Sequence, residues 1–288
     1  MKLFYNDDYV RTAYRFDTTK KAELVAKRAI DAGHEICDPE NFYEQTEEFI
    51  YATHNEEYVN AVKSGAPYSL SESQGFPWDR DTFRTVLAHN AGCVAAVDAS
   101  ARSGKPVGTL SSGLHHARRN NGVGFCTFNG VAIAAAKAID SGFSNVLVLD
   151  FDAHCGGGTY SLIDHNKTTH VDVSCNTFDA YDTENAIDIL KVVSDKSTYL
   201  NTIESVLKYV EGVAIPFDFI IYNAGMDPIN SGVHRKDLLL RENMVAETVQ
   251  RMNLPTIFTL AGGYSYGGYT MEDIADIHML TVDAFSDN

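Results

Sequence analysis

Within this 288-residue chain, the segment Asp150-Phe151-Asp152-Ala153-His154 places a carboxylate and an imidazole two positions apart. On an extended strand end such side chains point the same way, so Asp152 and His154 can grip one ion together. Asp227, in Asn223-Ala224-Gly225-Met226-Asp227, can complete a three-ligand set from a neighbouring loop. Two carboxylates and one imidazole, with positions left for water and substrate, have the stoichiometry of a catalytic rather than a structural zinc. The adjacent pair His115-His116 and the tyrosine of Gly262-Gly263-Tyr264 add groups able to move protons and to donate to an oxyanion. Taken alone, the aspartate-histidine segment also fits a solvated acid beside a satisfied histidine. The tandem histidines and the tyrosine on other loops turn the reading toward a site.

Elements that position these groups are legible as short apolar runs rich in β-branched residues: 107–110, 145–152, 170–174, 217–223 and 256–261. They read as buried strands. Between them, helical spacing with sensible ends covers 19–32, 82–103, 130–141, 197–211 and 236–252. Alternation of this kind predicts parallel strands joined by helical crossovers, an α/β sheet covered on both faces. In open parallel sheets function collects at the carboxyl ends of the strands, and here those ends lead into the segments just named. No repeat, low-complexity segment or long linker divides the chain, so one domain over residues 1–288 is expected.

Composition narrows the partners. With 23 Lys and Arg against 39 Asp and Glu, the formal charge is −16, which opposes binding to nucleic acid and suits a cationic partner. Residues 29–62 alone hold nine acids and no Lys or Arg, a run that usually marks a solvated face and that could attract cationic substrates. No apolar run approaches the roughly 20 residues of a membrane span. Asp7 and Asp8 interrupt the N-terminus before an apolar signal core could form, so the expected location is the cytoplasm. The five cysteines are odd in number and widely spaced, which fits reduced thiols. His34, His54, His89, His165, His170, His234 and His278 are isolated and expected to be surface or satisfied core residues.

Five motifs in order, 113–117 (GLHHA), 124–129 (GFCTFN), 150–159 (DFDAHCGGGT), 223–228 (NAGMDP) and 262–264 (GGY), resemble the histone deacetylase family, with the class IV and related bacterial branch closest. The resemblance implies a single-domain arginase/deacetylase fold, a mostly parallel sheet with helices on both faces. It also implies zinc-dependent hydrolysis that removes an acetyl or other acyl group from an amine such as N-acyl-lysine, in a protein or in a polyamine. By that resemblance one zinc is held by Asp152, His154 and Asp227, His115 and His116 handle protons, Tyr264 donates to the oxyanion, and Asp150 partners His115. Gly124, Phe125 and Gly263 match substrate-lining positions, and Asp150, Asp152, His154, Ser174 and Cys175 match a potassium site.

Departures from the family pattern carry their own expectations. Cys155 stands where a second histidine is common. Gly157 stands where the family has the Asp or Asn partner of the second histidine, so His116 is expected to lack one, and Gly157→Asn is expected to raise activity. Gly75 appears in place of a loop aspartate that clamps peptide backbone. Two rivals remain: a dimanganese arginase-type hydrolase, disfavoured by Gly156 and by a lone Asp227 before Pro228, and a silent binder of acylated amines, for which the retained histidines and tyrosine have no use.

Overall fold

A computed structural model describes residues 1–12 and 20–286 of the protein. Its centre is one eight-stranded sheet made of β1 (Lys2–Phe4), β2 (Glu35–Cys37), β3 (Val107–Thr109), β4 (Val146–Asp150), β5 (Thr168–Ser174), β6 (Ile189–Val192), β7 (Phe219–Asn223) and β8 (Thr256–Thr259). The order is β2-β1-β3-β8-β7-β4-β5-β6, and each neighbouring pair is parallel. All five expected strands are present, shortened at one or both ends or, for β5, begun earlier. The additional strands β1, β2 and β6 are three or four residues long, too short to show a period of their own.

Helices cover both faces, as the near-continuous apolar strands require. The long helix α5 (Thr82–Ser103) and α6 (Gly130–Asp140) pack with Val146, Val148, Phe219 and Ile221 on one face. On the other, α1 (Lys21–Asp31), α8 (Tyr199–Gly212), α9 (Arg235–Met252) and α10 (Met271–Ser286) enclose Leu147, Leu149, Ile220 and Tyr222. Alternate residues of β4 and β7 thus feed two cores. The expected start of the first helix, Thr19, lies outside the described residues. Helices α2 (Tyr43–Thr53) and α3 (Glu56–Ser64), like α10, do not show in the sequence because acids interrupt their apolar stripes, and α4 (Tyr68–Ser71) and α7 (Gly157–Tyr160) are single turns.

The chain leaves β3 leftward of β8 and β7 and returns at β4 on their right, so the strand order reverses across these four strands. Their carboxyl ends therefore frame a crevice, the usual ligand position of an open α/β sheet. A buried cation stiffens its back wall. Arg241 of α9, fully buried beside Glu242, donates to the Phe151 carbonyl at 2.9 Å, between the two aspartates of the Asp150–Asp152 segment.

Candidate active site

Asp152, His154 and Asp227 converge beyond β4 and β7, with one ligand atom from each within 4.8 Å of the others. The pairing does not arise from strand pleat as the sequence suggested. β4 ends at Asp150, and Asp152 folds back so that its Oδ1 accepts from the His154 backbone N–H at 2.9 Å, an Asx-type turn that aims both side chains inward. His154 Nδ1 lies 3.1 Å from Asp152 Oδ1 and 2.8 Å from Asp227 Oδ2. Asp227 Oδ2 is nevertheless buried without a hydrogen-bond partner. Lone pairs aimed at a common point, in acids 0–2% exposed, are what a cation would satisfy and what a hydrogen-bond network leaves unexplained. The donor set fits zinc.

Close approach of the backbone keeps this cluster in place. Gly262, at φ +58°, faces the carboxylates so directly that a Cβ there would lie 2.6 Å from Asp227 Cγ and 2.9 Å from Asp152 Oδ2. Burial raises the Asp227 carboxyl, helped by the charge of Asp152, to about 6; His154 is raised because the two carboxylates outweigh its desolvation. Lys21 of α1 is a residue sequence reading passed over. It is buried in the lining of the pocket and donates to the Gly262 carbonyl, and burial lowers its ammonium to about 8 against the pull of Asp227 and Asp152.

The two histidine rings lie with centroids 3.9 Å apart, tilted by 43°, yet their surroundings differ. His115 Nδ1 sits 2.8 Å from Asp150 Oδ2, and Asn223 Nδ2 fixes the other Asp150 oxygen at 2.8 Å. Burial works against the imidazolium, but Asp150 and Asp152 overcome it and push His115 up to about 10. Burial and the charge of His115 push His116 down to about 4. The surroundings of the pair thus favour the charged form of His115 and the neutral form of His116.

One expectation is overturned here. His116 has a carboxylate partner: Asp179, from the β5–β6 loop, places Oδ2 2.9 Å from His116 Nδ1. Gly157 leaves the space for it. A signal existed in the absent side chain at 157, but no sequence spacing could say which distant acid fills the gap.

A further pair of residues holds the histidine loop. Asn129 Nδ2 donates to the carbonyls of His115 at 2.9 Å and Ala117 at 3.2 Å, while its Oδ1 caps α6 through the Ala132 N–H. His54 bridges Asn129 and Arg118, accepting from the Asn129 N–H through Nε2 and facing the Arg118 carbonyl through Nδ1. That makes His54 the satisfied core histidine expected.

Above these groups lies a pocket bounded by His116, Gly124, Phe125 and Tyr264, with Asp152 and His154 at its floor. Phe178 adds an aromatic edge at the mouth, perpendicular to both His116 and His154. Gly124, at φ +53°, touches His116: a Cβ would lie 2.7 Å from its Cδ2. Gly263 follows Gly262 in the turn that delivers Tyr264, whose phenol burial raises well above its usual value, so it stays a neutral donor. Gly75 packs against the Phe125 ring, 3.5 Å from a notional Cβ. Ser174 and Cys175 lie at the end of β5, where Ser174 Oγ donates to Asp172, and the Cys175 N–H donates to the Ala153 carbonyl at 2.8 Å.

Fold and site together define a parallel α/β protein with a converging Asp152, His154 and Asp227 cluster at the switch point of its sheet. A sequence profile of the histone deacetylase domain matches residues 10–280, and the chain belongs to the histone deacetylase family. An uncharacterized protein of Synechocystis sp. is 29% identical over 75% of this chain and 76% of its own length. The human polyamine deacetylase is 32% identical over 43% of this chain, which is 20% of that relative. Among solved structures, an acetylpolyamine aminohydrolase from Burkholderia pseudomallei superposes with a TM-score of 0.79 at 16% identity, covering 99% of this chain and 98% of that one. This likeness shows the arginase/deacetylase fold.

Proposed function

We propose that the protein is a zinc-dependent deacylase that hydrolyses the amide of an acylated amine, such as N-acetyl-lysine or an acetylated polyamine, with the chain as a single catalytic domain. The observation that carries the proposal is the convergence of Asp152, His154 and Asp227 beside two adjoining histidines held by different carboxylates, His115 by Asp150 and His116 by Asp179. Those three residues would hold zinc, which when bound supplies Lewis-acid polarisation of the amide carbonyl and acidifies water. Neutral His116 takes a proton from the attacking water and returns it to the amine nitrogen as the C–N bond breaks, so the acyl group leaves as a carboxylic acid and the amine leaves neutral. His115, kept cationic by Asp150, stabilises negative charge as it develops on the carbonyl oxygen, and the Tyr264 hydroxyl donates to the same oxygen. Gly124, Phe125 and Phe178 line the approach and exclude water from the acyl chain.

Potassium at Asp150, Asp152, His154, Ser174 and Cys175 belongs to the same proposal. The buried acids there, with Asp172 raised to about 7 by burial and by Asp150, give a second cation an electrostatic rationale. A cytoplasmic setting is supported by five free cysteines. Among the described residues no helix is long and apolar enough to cross a membrane.

Polyamine conjugates are the favoured subclass, because a charge of −16 draws small cations and Gly75 offers no carboxylate to clamp a peptide backbone. A turnover panel of N-acetylputrescine, N8-acetylspermidine, an Nε-acetyl-lysine peptide and longer acyl-lysines, with zinc-loaded protein, tests this. Failure on every amide rejects the enzyme reading, and peptide turnover above that of the polyamines rejects the subclass.

A further inference from the structure

We infer that Asp179 is the positioning residue for His116, doing from the β5–β6 loop what a side chain at 157 would otherwise do, and that position 157 is glycine because Asp179 fills its side-chain space. The inference deepens the proposed function and rests on it for the role of His116. Asp179 Oδ2 meets His116 Nδ1 at 2.9 Å and accepts from the Gly158 N–H at 3.0 Å, so one oxygen ties the ring to the first turn after the ligand loop. The other oxygen is paired with Arg118, two residues beyond His116. The Asp179 side chain is 4% exposed.

Two observations show that the arrangement is fitted rather than incidental. A Cβ at Gly157 would lie 2.2 Å from the Asp179 carbonyl oxygen, 2.8 Å from Asp179 Oδ1 and 2.9 Å from Arg118 Nη2, so a side chain at 157 and Asp179 in this place exclude one another. Asp179 also adopts φ +60°, a left-handed conformation that few non-glycine residues take up, aspartate among them. The contacts to His116, Gly158 and Arg118 hold it there. With Nδ1–H donating to Asp179, the ring presents its bare Nε2 to the pocket, which is the tautomer a proton acceptor needs.

The test uses full-length zinc-loaded protein with Asp179→Ala, Asp179→Asn, Gly157→Asn and the double variant Asp179→Ala/Gly157→Asn. Loss of an orienting partner of this kind typically costs about 10–100-fold. Asp179→Ala should lower kcat by about that factor with KM within about twofold, and Asp179→Asn, which keeps an acceptor oxygen, should recover most of it. Gly157→Asn should lower kcat by displacing Asp179, and because the nearest contact of a Cβ at 157 is the residue-179 backbone carbonyl, the Asp179→Ala background should not relieve that loss. In metal-free protein, imidazole 15N shifts of His116 should show the Nδ1–H tautomer in the wild type and a mixture in Asp179→Ala. A kcat for Asp179→Ala within twofold of wild type, or a fully active Gly157→Asn, overturns the inference. If the wild type hydrolyses no amide, the functional reading fails by itself, and the 15N shifts still decide the positioning: an unchanged tautomer in Asp179→Ala refutes it.

Discussion

Gly262→Ala is the sharpest perturbation of the ligand cluster that leaves every ligand in the sequence. Its Cβ would approach Asp227 Cγ to 2.6 Å and Asp227 Oδ1 to 2.8 Å, where ordinary contact begins at 3.4 Å. The Asp227 carboxylate must then retreat by about 0.8 Å, while zinc ligation tolerates about 0.2 Å. Retreat is obstructed, because Asp227 Oδ1 is held by the Ala153 N–H at 2.9 Å and its ring of neighbours is buried. Position 262 also sits at φ +58°, so alanine adds roughly 1 kcal/mol of backbone strain. Strain of that size lowers the melting temperature by only a few degrees in a chain this long. Metal affinity, by contrast, should fall at least 100-fold. Competition with a chromophoric chelator measures the affinity and calorimetry the melting. Wild-type zinc affinity in a folded Gly262→Ala protein would refute the placement of the metal between Asp152 and Asp227.

Three more outcomes are expected. Tyr264→Phe should retain zinc and substrate affinity while kcat falls about 10²- to 10³-fold, the usual loss for one oxyanion donor, as steady-state kinetics on an acetylated amine will show. His116→Ala should reduce kcat more than His115→Ala at matched zinc content under the proposed assignment of His116 as the base; the opposite ranking reverses the roles. His54 and His89, both lowered to about 4 by burial, titrate near 6.5 in the unfolded chain, so protons bind the unfolded state first. Their contribution, on the order of 3 kcal/mol each, is complete above pH 6.5 and lost as pH falls toward 4, and urea midpoints in His54→Gln should depend less steeply on pH across that window.

The parallel sheet and the segments that bring Asp152, His154 and Asp227 together were legible because each strand of its centre is an uninterrupted apolar run that ends in chemistry. Val146 to Asp150 is the plainest case: five buried residues followed at once by the ligand loop. What stayed hidden was of two kinds. Strands β1 and β2 are three residues each and owe their existence to parallel pairing with partners up to about a hundred residues away, which no local pattern encodes. The turn at Asp152 to His154 is hidden for the opposite reason, since the spacing of two suits a strand and an Asx turn alike, and only the hydrogen bond from the His154 N–H distinguishes them.

Asp179 shows the limit most clearly. Motif logic asks for a carboxylate or amide at a fixed offset from the ligand histidine, finds Gly157, and concludes that His116 is unsupported. Yet a buried imidazole beside a cationic neighbour needs an oriented acceptor wherever it comes from, because a ring free to turn would expose the wrong nitrogen to the pocket. The loop after β5 already passes over this spot: the Phe178 carbonyl accepts from the Cys155 N–H at 3.0 Å, and its ring leans on His116. One residue further along, a short acid reaches Nδ1 only if nothing grows from 157. The glycine that looks like a loss is therefore half of a pair, and restoring a side chain there should damage the site that it would repair in a relative.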